Sequence, residues 1–82
     1  MEPQQIHDRL TTIFRRVFNE PGLELKDSLS ASDVDGWDSL NHITLISAIE
    51  EDFKIKFKLR DLMNMENVGD LLGLIAGKLG KA

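Results

Sequence analysis

The sequence predicts an all-α fold, a small bundle of three main helices plus one short helix. Three observations predict it. Apolar residues recur at spacings of three and four in three separate stretches, the period of helices with one buried face. Proline, glycine, asparagine and aspartate punctuate those stretches where helices start and stop. The one stretch that alternates apolar and charged residues, 53–59, has no second strand to pair with.

The first helix is predicted over residues 3–19. Pro3 suits an opening turn, where its missing N–H costs nothing. Ile6, Leu10, Ile13, Phe14 and Val17 form its apolar stripe. Glu20-Pro21-Gly22 should stop it, because a residue preceding proline is steered away from helical geometry and glycine turns readily. Residues 20–37 form a long connection rich in Ser, Asp and Gly. Leu23, Leu25, Leu29 and Val34 stud it, a pattern expected of a loop pinned across the helices.

The second helix is predicted over 39–52, capped by Asp38 or Ser39. Leu40, Ile43, Ile46, Ile49 and Phe53 form its expected stripe, widened by Leu45. Ile46 and Ile49 should face the first and last helices, with Phe53 closing the end. Residues 53–59 read as an extended link burying Phe53, Ile55 and Phe57, and 59–63 as one or two helical turns. The last helix, 67–79, opens at Asn67 with Asp70 three residues on, a capping-box pattern. Val68, Leu71, Leu72, Ile75 and Leu79 supply its inner face. Gly73 and Gly77 each cost about 1 kcal/mol relative to alanine, so packing must hold this helix more than propensity does.

With 82 residues, one domain spanning 1–82 is the expected organisation. So short a chain leaves no room for a catalytic cleft and a frame to hold it, which argues against an enzyme. The absence of cysteine excludes disulfides and cysteine-based zinc sites. The polar opening MEPQQIHDRLTT is neither signal peptide nor anchor, and no apolar run reaches a membrane span, so a soluble cytoplasmic monomer is expected. A net charge of -4 argues against nucleic acid. Seven acids and no lysine or arginine lie between Asp27 and Asp52, while Lys54, Lys56, Lys58 and Arg60 follow closely. The ordinary reading is a solvated acidic face; the sharper one is a docking surface for basic partners.

At the loop-to-helix junction the chain reads Gly36-Trp37-Asp38-Ser39-Leu40, and the helix that follows ends Ile49-Glu50-Glu51-Asp52-Phe53. In these residues, and in its order of elements over nearly its whole length, the chain resembles the acyl and peptidyl carrier protein family. That family carries Asp-Ser-Leu at the start of its second helix and an acidic Glu-Glu-x-Phe end. The resemblance implies that Ser39 is esterified to 4'-phosphopantetheine, donated by coenzyme A through a phosphopantetheinyl transferase, and that the arm's thiol holds acyl groups as thioesters. It implies further partners among acyl-loading and acyl-processing enzymes, and a part for Asp38 in transferase recognition. Glu50 and Glu51 of the acidic run, and Leu40 and Trp37 at the uncharged front of the helix, are the other expected partner contacts. Elementary electrostatics agrees with the attachment point, since a helix N-terminus favours a phosphate. Leu40 is either core or an exposed contact for the transferase.

The chain departs from the pattern of many fatty-acid carriers. Asn41 and Thr44 stand where acids are common, Trp37 replaces a small residue, and His42 adds a titratable group near Ser39. These departures point to a specialised pathway, such as polyketide, lipopeptide or surface-polysaccharide modification. A peptidyl or aminoacyl carrier, or an unmodified helical interaction module, are the alternatives.

Other chemistries fare worse. Ser39 and His42 are helix neighbours, but the chain has no Gly-x-Ser-x-Gly elbow of a hydrolase, and His42 and His7 read as surface histidines. Asp33, Asp35, Gly36 and Asp38 suggest calcium. Setting Gly36 at the sixth position of a calcium loop puts Ala31 first and His42 twelfth, where ligands are required.

Overall fold

The computed structural model describes residues 2–80 and contains four α-helices: α1 (Pro3–Val17), α2 (Ser39–Phe53), α3 (Leu59–Met63) and α4 (Val68–Leu79). A 3-10 turn, Ala31–Asp33, interrupts the long α1–α2 connection. α1 packs against both α2 and α4. Its stripe of Ile6, Leu10, Ile13 and Phe14 meets Leu45, Ile46, Ile49 and Phe53 of α2 and Val68, Leu71 and Ile75 of α4 in one core.

Helix ends explain small differences from the predicted boundaries. α1 stops at Val17, because Asn19 adopts left-handed geometry at φ 55° and the Glu20 N–H reaches back to the Arg15 carbonyl at 3.0 Å. Lys54, at φ 58°, ends α2 in the same way, with Ile55 N–H donating to the Glu50 carbonyl at 3.1 Å. The stop after α1 is thus made one residue before the Glu20-Pro21-Gly22 segment. At α4, Asn67 accepts from Asp70 N–H at 2.9 Å as expected, whereas the Asp70 carboxylate accepts from Glu66 N–H instead of closing a box on Asn67.

The α2 stripe differs from the prediction at its front. Leu45, Ile46, Ile49 and Phe53 are buried, but Leu40 and Ile43 are 73% and 64% exposed. His42, half-buried, takes the inward position of the first turns, and 42, 45/46, 49, 53 is itself a helical repeat. That register rotates Leu40 and Ile43 outward.

The long connection is pinned, as the spaced leucines predict. Leu25 and Val34 are buried, and His7 Nε2 and Arg15 Nε reach the carbonyls of Leu25 and Leu23 at 3.0 and 2.8 Å. Backbone N–H groups of Val68 and Gly69 donate to the carbonyls of Leu29 and Asp27 at 2.8 and 2.9 Å. A Cβ on Gly69 would lie 3.2 Å from the Asp27 backbone oxygen, so glycine permits this close approach. The link expected over 53–59 is only 55–58, because Phe53 still belongs to α2, Lys54 turns left-handed and Leu59 opens α3; Ile55 and Phe57 are half-buried against the core. No helix among the described residues is long and apolar enough to cross a membrane.

Candidate cofactor attachment site

The site is built at the start of α2. Gly36 adopts φ 85°, and its carbonyl accepts both the Asp38 N–H at 2.9 Å and the Asn41 side-chain amide at 2.7 Å. Asp38 is the N-cap, its carboxylate accepting from Asn41 N–H at 2.9 Å. Ser39 is therefore the first helical residue and not the cap. Its side chain is exposed, and its hydroxyl has no partner among the described residues. The N–H groups of Ser39 and Leu40 likewise have no protein acceptor there, the usual condition of a helix's first turn.

Beside Ser39 lies an open groove of about 610 Å³, lined by Ala31, Trp37, Asp38, His42, Ile43 and Met65, with Glu66 at its edge. Its lining is mainly apolar. The structure thus brings Ser39 and Asp38 to a shared groove with residues that the sequence did not assign to the site, Ala31, Ile43, Met65 and Glu66. Ile43 was placed in the core stripe, and Met65 lies in an irregular segment where no period marks a face.

Two residues expected on the recognition surface sit differently. Trp37 is only 9% exposed and belongs to the core. Its ring meets Phe14 edge-on, with centroids 5.3 Å apart, and lies 5.9 Å from Phe18. Its indole N–H donates to His42 Nδ1 at 2.9 Å, and the two rings stack at 20°. Burial holds the His42 pKa below the ordinary histidine value. Glu50 is half-buried, and its carboxylate accepts the Phe57 N–H at 2.8 Å, tying the 55–58 link to α2. Leu40 and Glu51 are exposed, as recognition contacts must be. His42, expected as a partly exposed surface histidine, is half-buried and held by Trp37, a bond the sequence did not show.

Asn41 is the other residue whose role the sequence leaves hidden. Read as a missing acid, it instead locks the turn that presents Ser39 through its contact with Gly36. A glycine five residues before an asparagine at a helix start is too common a pattern to find this role unaided.

The covalent arm fits what is present: an accessible, unpartnered hydroxyl, open first-turn N–H groups for a phosphate, and an adjoining groove. A small helical domain that presents a serine in this way has the arrangement a carrier domain needs. Residues 8–75 match the family described as Phosphopantetheine attachment site. The solution NMR structure of holo acyl carrier protein from Geobacter metallireducens is similar, with TM-score 0.88 and 47% identity, covering 92% of this chain and 86% of that one. A comparison with curated proteins gave no match. The chain belongs to the phosphopantetheine-binding carrier family, with the acyl-carrier-protein fold. Its cofactor is 4'-phosphopantetheine, and its family role is that of a carrier and not a catalyst.

Proposed function

We propose that this chain is an acyl carrier protein whose Ser39 bears the phosphopantetheine arm and presents acyl intermediates to partner enzymes. The supporting observation is the Ser39 hydroxyl, exposed and unpartnered at the first residue of α2, on the rim of an apolar groove. In the modification the Ser39 oxygen attacks the phosphorus of coenzyme A that bears the pantetheine. The Oγ–P bond forms as the bond from that phosphorus to the nucleotide breaks, the hydroxyl proton passes to a base of the transferase, and adenosine bisphosphate leaves.

The terminal thiol of the arm supplies the thioester chemistry. The chain supplies the rest. Asp38 is engaged with Asn41 N–H, and the open N–H groups of Ser39 and Leu40 would hold the phosphate. Ile43 and Met65 offer apolar surface to whatever the arm carries.

The partners are a phosphopantetheinyl transferase and acyl-loading and acyl-processing enzymes in the cytoplasm, meeting Asp38, Leu40 and Glu51 at the exposed side of α2. Trp37 and Glu50 act on that surface from within, by holding the site turn and the link. The uncharged Asn41 and Thr44 favour a specialised pathway over general fatty acid synthesis. Intact mass after incubation with coenzyme A and a broad-specificity transferase should gain one phosphopantetheine, and Ser39→Ala should gain none. A gain that persists in Ser39→Ala, or no gain with several transferases, overturns the assignment and favours an unmodified interaction module.

A further inference from the structure

His42 is one helical turn beyond Ser39, at the spacing where side chains are neighbours. Its ring is not free to choose a tautomer. The Trp37 indole can only donate, and it donates to Nδ1 at 2.9 Å, so Nδ1 must be the acceptor. The proton of the neutral ring then sits on Nε2. That nitrogen has no protein partner among the described residues, and His42 lines the same groove as Ser39. Phe14 and Phe18 pack the indole from the core side, so the ring is braced through two layers.

We infer that His42 is a positioning residue for the arm: Trp37 holds it with the proton on Nε2, and that N–H donates to the phosphodiester on Ser39. The inference rests on Ser39 being the attachment point. A hydrogen bond one turn from the ester would restrict how the arm leaves the helix and favour the groove side.

The arrangement has a signature that a merely structural histidine would lack. Protonating His42 places a second N–H on Nδ1, opposite the indole N–H, so the bond to Trp37 opposes the charged form. A neighbouring phosphodiester anion favours it. Attachment should therefore raise the His42 midpoint, because an anion within hydrogen-bond reach favours the charged ring. Asp38 and Glu66 are the other ionisable groups lining the groove. Both are present with and without the arm and so drop out of the comparison.

The test is an NMR titration of the apo and holo proteins, following the His42 ring and the phosphorus resonance of the arm. A phosphodiester has no ionisation of its own near neutrality, so any inflection reports a neighbour. The expected result is a His42 midpoint higher in holo than in apo, and a phosphorus inflection at that same midpoint. His42→Gln, whose amide can accept from the indole and donate onward, should keep the fold and lose the inflection. An equal midpoint in the two forms, a flat phosphorus shift in the wild type, or an inflection that survives in His42→Gln would overturn the inference. Mass spectrometry of the holo sample separates this from a failure at Ser39, because an unmodified chain refutes the attachment assignment and this inference with it.

Discussion

At the scale of single residues, the Trp37–His42 pair joins the core to the candidate site at Ser39. Because burial depresses the His42 pKa, the unfolded chain binds more protons than the folded one between the folded value and the ordinary histidine value near 6.5. Stability should be fully present above that ordinary value and decline as pH falls through the folded pKa. Thermal melting of the apo protein between about pH 7.5 and 5.5, above the ordinary carboxylate range, should show a decline that His42→Gln abolishes. An equal decline in both proteins would place the titration elsewhere. The motif itself is legible from residues alone, since Asp38-Ser39-Leu40 at a helix start needs no tertiary knowledge. The Trp37–His42 bond is not, because a pair five residues apart meets only when the turn at Gly36 brings the indole back over α2.

At the scale of elements, α2 is the informative case. Periodicity identified the helix but put Ile43 in its inner stripe and left Leu40 either core or exposed contact, whereas the fully buried residues of that face are Leu45 and Ile49. Leu45→Ala should cost about 2–5 kcal/mol, and Ile43→Ala less than about 0.5 kcal/mol. Paired denaturant melts decide the matter, and equal losses would restore the original face. α4 offers a second check. Nothing lies within 4 Å of a Cβ added at Gly73 or Gly77, so neither glycine is required for packing. Each alanine substitution should stabilise the fold by up to about 1 kcal/mol. A loss of stability from either would mean that the backbone there needs glycine for a reason other than space. Gly69 is different, because its added Cβ would press on Asp27.

At the scale of the whole molecule, the acidic character is more structural than the charge count implies. Of the seven acids between Asp27 and Asp52, four have structural partners. Asp33 accepts from Ser30, Asp38 caps α2, Glu50 holds Phe57, and Asp52 pairs with Arg9 of α1 at 3.0 Å. The Arg9 guanidinium also lies 5.2 Å from the Phe53 ring centroid, so the end of α2 is clasped to α1 by charge and contact together. On the other side, Lys78 of α4 reaches Asp61 of α3 at 3.0 Å. The field left for steering partners therefore rests on exposed acids such as Glu51. Glu51→Lys should leave melting unchanged, slow transferase modification and flatten its salt dependence. Glu50→Lys should lower stability as well, because the Phe57 N–H loses its acceptor. Matched salt dependence in the wild type and Glu51→Lys would remove Glu51 from the encounter.

Taken by itself, the sequence determined the number and order of helices, Asn67 as the cap of α4, the cap of α2 to within one residue, the pinned loop and the Asp38-Ser39-Leu40 motif. Those features are set by local chemistry: apolar period, N-capping groups, backbone breakers and a short motif. The tertiary structure alone decided which side of α2 faces inward, that Trp37 is core, that Glu50 holds a backbone N–H, and that Ile43 and Met65 share a groove with Ser39. An apolar stripe narrows the buried face of a helix but leaves its edges open to whatever packs against them. Here the indole of Trp37, packed against Phe14 and Phe18, draws His42 to the inner side and turns Leu40 and Ile43 toward the surface.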